Sequence, residues 1–126
     1  MIMAEGPDHR AAVDEAQLML NMAGSREILA EAGQLFLDEV GVMVTSLRAA
    51  ISSTDPTRIE RAAHLIKGAL LSMAARPAVE VAAAIEAAGR SGLFVAPGAL
   101  DALEREIGRV RVVLDEILER GRRPVA

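Results

Sequence analysis

The stretch Arg61-Ala62-Ala63-His64-Leu65-Ile66-Lys67-Gly68-Ala69-Leu70-Leu71-Ser72-Met73 decides how the chain is read. Ile59, Ala63, Ile66, Leu70 and Met73 recur at the three- and four-residue spacing of an amphipathic helix. At about 100° per residue these five lie within about 80° of arc, and His64 falls about 140° from their middle. The spacing predicts a helix with a core on one side and an imidazole facing solvent on the other. Lys67 and Gly68 stand three and four residues beyond His64, so both are its neighbours on the helix surface.

Outward from this stretch, Asp55-Pro56 marks a helix start. Aspartate caps well, and proline fits the first helical position, where its missing N–H would have no partner. The His64 helix is expected from Pro56 to about Ala75. Before it, a short helix is expected over 11–22, burying Val13, Ala16, Met19 and Leu20 and ending at Gly24. Ser25 then caps a long helix over 26–52. Its apolar arc is read as Ile28, Ala32, Leu35, Phe36, Met43, Leu47 and Ala50, weakened at Gly33 and Gly41 by about 1 kcal/mol each. After Arg76-Pro77 comes an alanine-rich helix over 77–89, whose small residues permit close helix approach. Leu93-Phe94-Val95 is expected to pack across the bundle end. A last helix over 98–120 carries the stripe Leu100, Leu103, Ile107, Val110, Leu114 and Ile117.

Short connections between amphipathic helices imply antiparallel neighbours. The expected fold is all-α, an antiparallel up-down-up-down four-helix bundle with a short additional N-terminal helix. Residues 11–120 are read as one domain, between a flexible tail 1–10 that includes His9 and a frayed tail 121–126. Composition agrees: 52% of residues are hydrophobic, only 2% aromatic, and 126 residues suffice for one core.

The net charge of −4 provides no basic stripe for nucleic acid, and Arg120, Arg122 and Arg123 are read as solvating a helix end. There is no cysteine, hence no disulfide framework or thiolate metal site. No apolar run approaches the roughly 18–20 residues of a membrane helix. Residues 1–8 lack the basic start and apolar centre of a secretory signal. A soluble, cytoplasmic protein, monomeric and bound to neither membrane nor nucleic acid, is expected.

The chemistry concentrates at His64. Lys67 is the only lysine beside thirteen arginines, a compact ammonium that can act as a point charge for phosphate. Gly68 costs about 1 kcal/mol relative to alanine yet points away from the predicted core, which favours close approach by an external partner. Leu71 projects close to His64, with Ala75 farther along, and these form a small apolar docking patch. An unperturbed imidazole, with a pKa of about 6.5, is a nucleophile near neutrality. It can accept a phosphoryl group whose charge Lys67 offsets. Glu60, one turn earlier, is a candidate to accept from Nδ1–H and leave Nε2 to attack. Only His64 and Glu60 share this face, too few for a metal site. A Ser-His-Asp arrangement and a P-loop have no supporting residues.

Ala63-His64-Leu65-Ile66-Lys67-Gly68 resembles the A-H-x-x-K-G core of histidine-containing phosphotransfer (HPt) domains. The order of helices around it, with Leu47 to Ile51 before Asp55 and Ala84 to Ala88 after, is similar to that family over most of the chain. Ala69 and Ala74 stand where the family often has a small polar residue and a glycine. The resemblance implies a phosphocarrier, not an autonomous enzyme, that takes a phosphoryl group on His64 from an aspartyl phosphate of a receiver domain and passes it to another receiver. A hybrid histidine kinase is an implied partner. Mg²⁺ would come with the receiver, with no cofactor intrinsic to this chain. The alternatives left open are a helical adaptor that docks a receiver or kinase without carrying phosphate, and a helical dimerisation module.

Overall fold

The computed structural model describes residues 10–122, and among them every regular element is helical. The elements are α1 (Glu15–Asn21), α2 (Arg26–Ser53), α3 (Pro56–Ser72), α4 (Arg76–Arg90) and α5 (Ala99–Arg122). The four long helices pack pairwise in a cycle, α2 on α3, α3 on α4, α4 on α5 and α5 on α2, with α3 against α4 the broadest interface. His9 and residues 123–126 lie outside the described residues, whereas Gly121 and Arg122, expected to fray, continue α5.

Local chemistry sets the boundaries. Asp14, Ser25 and Asp55 cap α1, α2 and α3, their side chains accepting from the backbone N–H of Gln17, Ile28 and Thr57. The helix carrying His64 stops at Ser72, earlier than its apolar period suggests. Ala74 turns left-handed at φ 54°. Its N–H donates to the Leu71 carbonyl and that of Ala75 to the Leu70 carbonyl, both at 3.0 Å. This is the Schellman closure, which glycine usually performs without the Cβ penalty that alanine meets here. Arg10, the first described residue, is tied to α4, donating from Nη1 and Nη2 to the two Glu80 oxygens at 2.7 and 2.9 Å.

The buried faces correct three expectations. In α2 the core residues are Leu29, Gly33, Phe36, Val40, Val44, Leu47 and Ala50, whereas Ile28 and Leu35 are exposed. Because α2 packs between α3 and α5, its buried arc centres on Phe36, Val40 and Leu47, and Gly33 receives the Leu118 side chain. In the N-terminal segment, Ala12, Val13, Leu18 and Met22 are buried, while Ala16 and Leu20 face out. Leu93 and Phe94 do not cover the bundle end. Phe94 is 94% exposed, and of that trio only Val95 packs against the core. The α5 stripe is buried from Leu103 to Ile117 and partly at Leu100, as its spacing predicts.

The alanine-rich face of α4 lets it lie close to α3, and Gly89 marks the tightest approach. A Cβ there would stand 2.7 Å from the Glu60 backbone nitrogen and 3.0 Å from the Pro56 carbonyl oxygen. At Gly68 a Cβ would meet nothing within 4 Å. The two glycines should therefore respond oppositely to alanine. Gly89→Ala is expected to destabilise by about 1–3 kcal/mol, because backbone must move. Gly68→Ala should stabilise by up to about 1 kcal/mol through helix propensity. Urea unfolding checks both, and a neutral Gly89→Ala would contradict this packing.

Candidate functional site

His64 projects from α3 with its side chain 70% exposed. The ring is not free to turn. Its Nδ1 lies 2.7 Å from Oε2 of Glu86, which α4 contributes from the buried face it shares with Ala78, Ala82, Ile85 and Gly89. Glu86 is only 4% exposed and is the one charged residue in the buried set of the described residues. A buried carboxylate must be paired. Its Oε1 meets Lys67 Nζ at 2.6 Å, and Arg90 Nη2 reaches its Oε2 at 3.2 Å.

Lys67, chiefly through its hydrogen bond, holds the Glu86 carboxyl below its ordinary value of 4.5. Burial pushes the other way, and His64 adds to the lowering. Near neutrality Glu86 is therefore an anion, and an ionised carboxylate only accepts hydrogen bonds. The proton between the two groups belongs to His64 Nδ1. In the neutral ring that leaves the lone pair on Nε2, the nitrogen turned away from Glu86. One buried anion thus fixes both the ring orientation and its tautomer.

The orienting role expected of Glu60 falls to Glu86. Glu60 Oε2 instead accepts from Arg90 Nε at 3.1 Å, because α4 runs along that side of α3 and brings Arg90 beside it. Ala75, expected on the docking face, is fully buried. The helix wheel cannot be extended to it, since α3 has already ended and Ala74 has reversed the chain. Gly68 and Leu71 are exposed beside His64, and Lys67 is 24% exposed along the α4 side. Asn21 of α1 ties down this end of α3, donating from Nδ2 to the Leu71 and Ser72 carbonyls at 3.3 and 3.2 Å.

Glu86 and Arg90 are the site residues that the reading of the His64 stretch misses. The available signal is register. Glu86 falls on the apolar face of α4, between Ile85 and Gly89, where a carboxylate requires a partner from a neighbouring helix. Among the described residues no group of three or more His, Cys, Asp or Glu side chains could hold a metal ion, and no helix is long and apolar enough to cross a membrane.

Since the folded-state pKa of Glu86 lies below its unfolded value, the unfolded chain binds the extra proton between the two. The stability this gives is complete above about 4.5 and lost as pH falls through the lower, folded value. Glu86→Gln should therefore be less stable than the parent near neutrality, by about 1–3 kcal/mol. The difference should shrink as acid protonates Glu86 in the parent. Denaturant unfolding across pH 3–7 checks this, the limits being roughly those over which carboxylates titrate. A gap that does not vary with pH would contradict the pairing.

A family model described as the Hpt domain matches residues 31–113, well over half of the chain, from within α2 to within α5. Among solved structures, the crystal structure of histidine-containing phosphotransfer protein B (HptB) from Pseudomonas aeruginosa PAO1 is similar, with a TM-score of 0.79 and 24% identity. The alignment covers 86% of this chain and 96% of that one. At that identity the likeness speaks for the fold. No curated protein matches the sequence. The matched region contains all of α3 and α4, and with them every partner of the Glu86 carboxylate. The chain belongs to the Hpt domain family, the histidine phosphotransfer proteins of phosphorelays.

Proposed function

We propose that His64 is the residue that carries the phosphoryl group, on Nε2, between receiver domains of a two-component phosphorelay. The observation that carries this reading is the 2.7 Å contact of Nδ1 with the buried Glu86. The Nε2 lone pair attacks the phosphorus of a receiver's aspartyl phosphate. A P–N bond forms, the P–O bond to the aspartyl carboxyl breaks, and the carboxylate leaves with the electron pair. The ring becomes cationic while Nδ1 keeps its proton, so the Glu86 anion stabilises the charge that develops. In the onward step a second receiver's carboxylate attacks phosphorus and the P–N electron pair returns to Nε2.

Gly68 and Leu71 present an open, partly apolar surface beside the nucleophile for the receiver to rest on. From its place on Glu86, Lys67 offsets part of the arriving phosphoryl charge. The receiver is expected to bring the Mg²⁺ ion. A hybrid histidine kinase bearing a receiver domain is a partner of the same chemistry. We read residues 11–120 as a single domain whose long helices run up-down-up-down. The short connections between α2 and α3 and between α3 and α4 support that order. We read the chain as a cytoplasmic monomer and a carrier without turnover of its own.

His64→Gln should accept no phosphoryl group from a phosphorylated cognate receiver, with its helical circular dichroism unchanged because the side chain is exposed. Undiminished labelling of that variant would contradict the assignment. A parent chain that binds the receiver without ever being labelled would make it an adaptor instead.

A further inference from the structure

Beside His64 lies a shallow recess lined by Glu60, Arg61, His64, Leu65, Glu86 and Arg90. The cations near it are not equivalent. Lys67 is bound at 2.6 Å to Glu86. Arg90 is shared between Glu60 at 3.1 Å and Glu86 at 3.2 Å. Arg61 is exposed, stands three residues before His64 on the same helix, and has no ion pair or side-chain hydrogen bond among the described residues.

A phosphoryl group on Nε2 introduces negative charge and three strong acceptor oxygens. Withdrawing Lys67 to meet it would strip a buried carboxylate of its closest cation, a costly change. Arg90 would have to leave two carboxylates. Arg61 gives up only water. Side chains three apart on a helix are neighbours, with Cβ atoms about 5–6 Å apart, and the guanidinium fork suits two phosphoryl oxygens at once. We propose that Arg61 is the residue that grips the phosphoryl group on phosphorylated His64, while Lys67 stays on Glu86. This rests on the assignment of His64 as the phosphorylated residue.

The test uses the full chain and the small donor phosphoramidate, so that no receiver interface enters. Nε2 attacks its phosphorus, a P–N bond to the ring forms, and the P–N bond to the departing ammonia breaks. The parent, Arg61→Gln, Lys67→Gln and His64→Gln are followed by ³¹P NMR. The parent and Arg61→Gln should both show a phosphohistidine resonance that His64→Gln lacks. The midpoint of the phosphoryl group's second ionisation should rise in Arg61→Gln by roughly half a pH unit, as expected for losing one surface cation. That difference should shrink at about 1 M salt, where exposed charges are screened. Arg61→Gln titrating together with the parent would overturn the proposal and leave the His64 assignment standing. So would a shift that appears only in Lys67→Gln. Absence of the resonance in the parent would overturn the His64 assignment itself.

Discussion

A carboxylate kept from water has few arrangements open to it, and that constraint shapes this molecule around Glu86. The side chain is buried between α3 and α4, with Lys67 on one oxygen and His64 and Arg90 on the other. Each contact discharges part of the cost of burying an ion, and each fixes a partner in place. The ring nitrogen facing Glu86 must carry a proton because the carboxylate has none to give. The nucleophilic position proposed for His64, Nε2, thus follows from satisfying a buried charge.

The packing makes this arrangement possible. α4 approaches α3 closely because Ala78, Ala82 and Gly89 offer little bulk on its inner face. Asp55 and Pro56 start α3 cleanly, and the left-handed turn at Ala74 stops it one turn after Gly68. His64, Gly68 and Leu71 therefore sit on a rigid helix, which holds geometry better than a loop would. The exposed glycine contributes nothing to the interior, since no atom lies where its side chain would be. It leaves open space beside the imidazole, where we propose that a receiver docks.

Much of this is legible in the chain, for identifiable reasons. The α3 stripe from Ile59 to Met73 and the α5 stripe from Leu103 to Ile117 read correctly because each faces one continuous core. The α2 arc reads less well at Ile28 and Leu35, since that helix also carries apolar residues on its exposed side, Val42 among them, and periodicity alone does not say which are buried. His64, Lys67 and Gly68 are visible as neighbours on one helix. Glu86 is 22 residues away from His64, and single-helix geometry offers Glu60 in its place. Ala75 fails for a different reason: the wheel assumes that α3 continues as far as Ala75, and the left-handed turn falls on an alanine where a glycine would have marked the helix end.

The protonation of the His64 ring tests the account most directly. A long-range ¹H–¹⁵N correlation spectrum of the unphosphorylated chain, recorded where the ring is neutral, distinguishes the two tautomers. The account predicts a proton on Nδ1 and an unprotonated Nε2. A dominant Nε2–H tautomer would contradict it, because the nitrogen proposed to accept the phosphoryl group would then have no lone pair to attack with.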